Sequence, residues 1–267
     1  MIKLLAVDMD GTCLDSKGRM SQKTFEALKK ASEKGVIVVP TTGRNINCLP
    51  VPLKNQSFYR YIISSNGALV VDTAEDKEIF KSYIDSKTGA EILKKCRRHL
   101  IFIAAHIDRD YYVQGKAVYK GVKHYMGDDA SNLIIVKNMA KTVRKQGGHI
   151  EELQLFYYGE RYRKIIKKII APYPDICSAH ASNYAEIFNK NGSKGNALKA
   201  LADQLGIDMS EVACIGDEEN DISMFRVAGT PLAMGNAIDK LKSLAKHILP
   251  TNDEDGVAFA VENYILK

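Results

Sequence analysis

Apolar residues along the chain fall into short runs with two different periods. Ile2–Val7 is a continuous apolar run that ends in acidic residues and reads as a buried strand. Ser21 can cap a helix running to about Lys34, with Phe25, Leu28 and Ala31 on one face and Gly35 as its stop. The β-branched run Val36–Val39 predicts a second strand and Tyr61–Ser64 a third, with Asn66-Gly67 as a turn into Leu69–Val71. A helix over about residues 86–98 then precedes Leu100–His106 and Asp110–Val113, which read as a hairpin closed at Asp108-Arg109. A less regular stretch follows. Strands return at Glu152–Tyr158, Ile176–His180 and Tyr184–Phe188, with an amphipathic basic helix at Arg161–Ile170. The last third alternates: helix Lys194–Leu205 stopped by Gly206, strand Val212–Ile215, helix Glu219–Val227, and further alternation through Thr251–Tyr264.

Strand–helix alternation at both ends, with paired strands between, predicts an α/β protein. The expected layout is a doubly wound, Rossmann-like parallel sheet core built from residues 1–82 and 185–267. An α+β domain is inserted over 83–184. Charge supports the division. Residues 83–184 hold 18 Lys+Arg against 10 Asp+Glu, whereas the rest of the chain holds 20 against 22. The same segment holds 10 of the 13 tyrosines. Its basic residues are dispersed rather than blocked, which suits a phosphorylated metabolite better than nucleic acid.

Composition excludes several classes. With 45% hydrophobic and 26% charged residues among 267, the chain is no disordered segment, collagen-like fibre or disulfide scaffold. No apolar run approaches the ~18 residues that span a bilayer. The apolar stretch after Met1 is too short for a signal-peptide core, so a cytoplasmic protein without membrane partner is expected. The five cysteines are odd in number and none are spaced CxxC, which argues against a disulfide framework or a zinc site. Cys13 lies beside the first motif below, where a packed thiol is expected. The six histidines show no ligand spacing.

Ligands of open α/β sheets bind at the carboxyl ends of the strands. The first strand ends in Asp8-Met9-Asp10-Gly11-Thr12 and the second in Thr42-Gly43-Arg44. The strand at Val212 ends in Gly216-Asp217-Glu218-Glu219-Asn220-Asp221, and Lys194-Gly195 opens a helix. Four carboxylates (Asp8, Asp10, Asp217 and Asp221) at one edge would repel each other by ~4 kcal/mol per pair at 4 Å and an effective dielectric of 20. A divalent cation would relieve this. All-oxygen ligands favour a hard ion, with Mg²⁺ leading. Phosphate would complete its shell, and Lys194, the Thr42 hydroxyl, the Gly43 amide and a helix N-terminus would hold the remaining oxygens. A carboxylate is ionised at pH 7 and can attack without a base. In extended chain, residues i and i+2 point the same way, so Asp8 and Asp10 can address one substrate.

These motifs, in this order, resemble those of the haloacid dehalogenase superfamily, and their spacing resembles its Cof-type, class IIB branch of sugar-phosphate phosphatases. Asn66-Gly67-Ala68 and Asp255-Gly256-Val257-Ala258 resemble that branch too. The resemblance covers both ends of the chain; the middle matches in length and position, where the family inserts an α+β cap. It implies the following roles. Asp8 is the nucleophile and a metal ligand, and Asp10 is the general acid/base with its main-chain carbonyl on the metal. Met9 contributes its amide to phosphate. Thr42, Gly43, Lys194 and Asn220 bind phosphate. Asp217 and Asp221 complete the magnesium site, Asp221 by orienting a metal-bound water. Arg44 either contacts substrate or braces its loop, and Asn66 is a second candidate contact. Pro40-Thr41 departs from the smaller or apolar residues the branch often has there.

The implied function is Mg²⁺-dependent hydrolysis of a small phosphorylated metabolite, a sugar phosphate, through an aspartyl-phosphate. A monomer or weak dimer is expected. Two alternatives stand beside it: a phosphomutase of the same superfamily, and a basic binding module with a vestigial site.

Overall fold

Strand β1 (Leu4–Asp8) is buried at all five positions, as expected for a run without alternation that is covered on both faces. Helix α1 (Gln22–Glu33) starts where predicted: the Ser21 hydroxyl accepts from the Thr24 amide at 3.0 Å. It buries Ala27, Leu28 and Ala31. Strands β2 (Ile37–Thr41), β3 (Tyr61–Ser64), β4 (Leu69–Asp72) and β5 (Lys77–Lys81) follow. The computed structural model describes residues 1–54, 56–130, 132–180 and 182–267, less the side chains of Tyr125, Asp128 and Gln146.

The middle of the chain runs α2 (Ser86–Cys96), β6 (Phe102–Ile107), β7 (Asp110–Gln114), α3 (Gly115–Met126), β8 (Leu133–Val136), α4 (Met139–Gln146), β9 (Ile150–Phe156), α5 (Glu160–Ile170), β10 (Ile176–His180) and β11 (Tyr184–Asn189). The return segment runs α6 (Lys194–Leu205), β12 (Val212–Gly216), α7 (Ile222–Phe225), β13 (Thr230–Ala233), α8 (Asp239–Lys242), β14 (His247–Ile248) and α9 (Gly256–Ala260).

The strands form two sheets. The first has eight, in the order β14-β13-β12-β1-β2-β3-β4-β5. It is parallel from β14 to β3 and turns antiparallel at β4 and β5. The second has six, in the order β10-β11-β9-β6-β7-β8, antiparallel except where β8 joins β7. The α/β fold with a parallel-rich core thus stands as expected.

The residues gather into two compact units. The core unit holds 1–43, 52–81 and 193–267; the inserted unit holds 44–51 and 82–192. Each has a hydrophobic core of its own, one around Leu5, Val39, Leu198 and Ile215, the other around Leu93, Ile103, Leu153 and Ile166. The inserted unit is wider than a segment over 83–184 because β11 runs to Asn189 between β9 and β10. Residues 44–51 join it through Cys48, which packs with Ala104, Tyr111 and Val113.

The stretch after β7 that reads as irregular holds α3, β8 and α4. Their apolar signal is brief. α3 buries Val118 and Val122, α4 buries Met139 and Val143, and β8 leaves Ile134 and Ile135 exposed. Two apolar residues four apart, or a four-residue edge strand, are too short to establish a period.

Candidate active site

Strands β1 and β12 lie side by side and parallel, with Val7 opposite Ile215. Their carboxyl ends therefore meet, and each ends in an aspartate. Asp8, Asp217 and Asp221 each present a carboxylate oxygen within 4.8 Å of the others. All three are buried, at 5%, 6% and 0% exposure.

Helix α6 adds the counter-charge. Ser193 caps it, its hydroxyl accepting from the Asn196 amide, and Lys194 is the first helical residue. Its side chain is fully buried. The ammonium donates to Asp8 Oδ1 at 2.5 Å and to Asp221 Oδ1 at 2.7 Å. The other Asp221 oxygen accepts from the Asp217 and Glu218 amides at 2.9 and 3.1 Å. The Thr12 hydroxyl donates to Asp217 Oδ1 at 2.7 Å. Each carboxylate thus has a fixed rotamer.

Burial sets the electrostatics. It pushes the Asp8 carboxyl well above its ordinary value; Asp221 and Asp217 push the same way, and Lys194 pulls it back. Burial likewise raises Asp217 to about 6, with Asp221 and Glu218 adding to the rise and Thr12 opposing it. Burial lowers the Lys194 ammonium, but Asp221 and Asp8 outweigh it, so the lysine is raised and stays charged. Three carboxylates against one ammonium leave a deficit of two positive charges. The donor set is all oxygen and the charge deficit is that of a divalent ion, so the residues fit a hard dication such as Mg²⁺.

The remaining expected positions divide. Thr42 is buried, its amide donating to the Ile63 carbonyl at 2.9 Å, and its own carbonyl accepts from the Asn66 amide at 3.1 Å. Asn66 sits at φ 55° and accepts from Asn220 Nδ2 at 3.0 Å, so Gly43, Asn66 and Asn220 lie together. Met9 is 1% exposed. Asp10 is exposed, and its carboxylate is not one of the clustered trio. The reason is local: Met9–Cys13 is a wide turn in which Asp10 (φ −72°, ψ 121°) and Gly11 (φ 78°) break the helical path. Arg44 belongs to the inserted unit, where its guanidinium pairs with Asp129 at 2.6 Å.

Sequence reasoning missed Thr12 and Ser193. Thr12 lies in the wide turn Met9–Cys13, where strand alternation does not hold, so only the fold brings its hydroxyl to Asp217. Ser193 before a Lys-Gly helix start was legible as a cap.

The haloacid dehalogenase-like hydrolase family matches residues 5–261 of the chain. Phosphatase YwpJ of Bacillus subtilis is 29% identical, with 99% of this chain and 100% of the relative covered. The 5-amino-6-(5-phospho-D-ribitylamino)uracil phosphatase YwtE of the same organism is also 29% identical, covering 99% and 98%. A solved subclass IIB sugar phosphatase shares the fold at a TM-score of 0.83, with 23% identity over 98% of both chains.

Proposed function

The chain belongs to the haloacid dehalogenase-like hydrolase family and is a phosphatase of it; from that premise we propose that it hydrolyses a small phosphorylated metabolite, a sugar phosphate, with Mg²⁺ and through an aspartyl-phosphate. The observation that carries the reading is the buried Asp8–Lys194–Asp221 arrangement beside Asp217 at the ends of β1 and β12.

Asp8, Asp217 and Asp221, with the Asp10 main-chain carbonyl, would hold Mg²⁺. When bound, the ion neutralises the carboxylates and the phosphoryl oxygens. Asp8 attacks phosphorus: an aspartyl O–P bond forms and the ester P–O bond breaks. Asp10 protonates the departing alkoxide and afterwards takes a proton from the water that cleaves the aspartyl phosphate. Lys194 fixes the Asp8 oxygen and offsets phosphoryl charge. Thr42, the Gly43 and Met9 amides and Asn220 hold phosphate oxygens. The inserted unit acts as the cap that sets specificity, with Arg44 and Asn66 as candidate contacts. The two activities named for the relatives support a substrate in this class, since a sugar phosphate and a phosphoribityl group are both phosphorylated polyhydroxy chains. Among the described residues no helix is long and apolar enough to cross a membrane. A cytoplasmic location and action as a monomer or weak dimer belong to the same proposal.

The test is phosphate release from a panel of sugar phosphates, nucleotides and pyridoxal phosphate, with Mg²⁺ or with EDTA. Activity should vanish in EDTA. Asp8→Asn should be inactive. Asp10→Asn should slow turnover by about 10²–10⁴-fold and accumulate a phosphoryl group on the peptide containing Asp8. A label on Ser, Thr or His, or near-normal turnover by Asp8→Asn, would exclude the aspartyl mechanism.

A further inference from the structure

The turn that carries Asp10 is held by two other loops of the core unit, at residues 234–238 and 250–255. Strand β13 runs parallel to β12 with Ala233 opposite Gly216. The chain leaving β13 therefore emerges at the same sheet edge as Asp217. There the Ile238 amide donates to the Asp217 carbonyl at 3.0 Å, and the Gly235 amide donates to the Pro250 carbonyl at 3.2 Å. Asn236 stands between these two anchors. Its Nδ2 donates to the Gly11 carbonyl at 2.8 Å, and its Oδ1 accepts from the Asn252 amide at 3.0 Å. Asn252 Nδ2 donates in turn to the Leu14 carbonyl at 2.9 Å, and the Asp253 carboxylate accepts from the Ser16 amide at 2.8 Å.

The partners fix the Asn236 amide. A carbonyl only accepts and a backbone N–H only donates, so one orientation of the side chain satisfies both. The carbonyl it holds belongs to the Gly11–Thr12 peptide. Upstream is Asp10, at φ −72° and ψ 121°; downstream is Thr12, whose hydroxyl donates to Asp217 at 2.7 Å. Gly11, at φ 78°, lies against the Asp217 carboxylate, where a Cβ would collide. Glycine takes either sign of φ at little cost, so local sequence does not hold this turn by itself. The Leu14 amide closes it by donating to the Met9 carbonyl at 3.0 Å, and Asn236 fixes the peptide within it. Asp10 is exposed and its carboxylate stands outside the buried trio. Its aim therefore follows from the backbone that carries it.

We infer that Asn236, oriented by the Asn252 amide, is a positioning residue for Asp10. The inference rests on the phosphatase reading above, in which Asp10 gives a proton to the departing oxygen and later takes one from the attacking water. Asn236 acts through the Gly11 carbonyl rather than on the substrate. Proton transfer needs heavy atoms about 2.6–3.2 Å apart, so a turn that rocks by about an ångström takes Asp10 out of reach. Asp8 is unaffected, because it ends β1 and is held by Lys194. Loss of Asn236 thus removes acid–base help and spares nucleophilic attack.

The test measures phosphorylation of Asp8 and phosphate release, with Mg²⁺, for two esters of one ring. The leaving group of 4-nitrophenyl phosphate needs no proton, whereas the more basic one of phenyl phosphate does. Asn236→Ala removes the donor. Asn236→Asp keeps the acceptor for Asn252 and sets a carboxylate oxygen against the Gly11 carbonyl. In both variants phosphorylation by phenyl phosphate should slow by about 10-fold or more, and by 4-nitrophenyl phosphate by less than about 3-fold. Hydrolysis of the aspartyl phosphate should slow with either ester, so a phosphoryl group accumulates on the peptide containing Asp8. Combined with Asp10→Asn, Asn236→Ala should add no further loss on any ester, the fastest sugar phosphate included. Equal slowing with both aryl esters, wild-type rates with both, or a further loss of about 10-fold on the Asp10→Asn background overturns the inference and leaves the phosphatase reading intact. Absence of phosphate release by the wild type from every ester, sugar phosphates and aryl phosphates alike, overturns the phosphatase reading and the inference with it.

Discussion

Asp217 titrates in a useful range because it is buried beside other carboxylates and held by Thr12. Its acid is raised to about 6 in the folded chain, so between its unfolded value near 4 and about 6 the folded state binds more protons than the unfolded state. Without a cation, stability should therefore be highest below about pH 4 with respect to this group. It should fall as pH rises through about 6, by roughly 3 kcal/mol. A dication binds the ionised form and competes with the proton. Mg²⁺ should thus raise the thermal midpoint more at about pH 8 than at about pH 5, and Asp217→Asn should lose most of that difference. A Mg²⁺-induced shift of equal size at both pH values would contradict metal binding at these carboxylates.

Helix α6 carries its lysine to Asp8 only because another element lets it approach. Gly67, at φ 91° after β3, lies against the N-terminus of α6, and a Cβ there would collide with the Ser193 carbonyl group and the Lys194 amide. Gly67→Ala should cost about 1–3 kcal/mol from backbone strain, with more from the displaced helix start. Because the displacement falls on Lys194, phosphate release should drop by about 10-fold or more. Gly35 is the control. It also has positive φ, 86°, but a Cβ there meets nothing within 4 Å, so Gly35→Ala should cost strain alone and keep kcat. Urea midpoints and phosphate release for the two variants separate strain from misplacement. Ser21 makes a similar join, accepting from Thr24 and donating to Asp255 at 2.5 Å. Ser21→Ala should lower stability by about 1 kcal/mol, read from the urea midpoint.

At the scale of the whole molecule, two hydrophobic cores hold two units. Ile166 is fully buried in the inserted unit, and Ile166→Ala should cost about 2–5 kcal/mol there. Native-state hydrogen exchange should show the loss of protection confined to residues 82–192, with the amides of β1 and β12 unaffected. Equal loss in both would mean that the chain opens as one cooperative unit.

Much of this was legible along the chain. The apolar runs of β1, β2, β3 and β12, the Ser21 cap and the helix from Lys194 to Leu205 follow from local patterning, because each carries enough period or a specific cap to specify itself. The acidic strand ends were visible for the same reason: Asp8 and Asp217 stand immediately after runs that must be strands. α3, β8 and α4 were not visible, since their few apolar residues acquire meaning only once a sheet is there to bury them. Proximity was not legible either. Residues 8, 194, 217 and 221 become neighbours because β1 pairs in parallel with β12 and α6 starts at the same sheet edge, a consequence of long-range pairing. The sequence alone determined the strands and helices that carry the site and the chemistry at their ends. Only the tertiary structure decided which carboxylates share a site and that Asp10 stays out of the buried trio. Those outcomes depend on burial and register, which no single stretch of chain encodes.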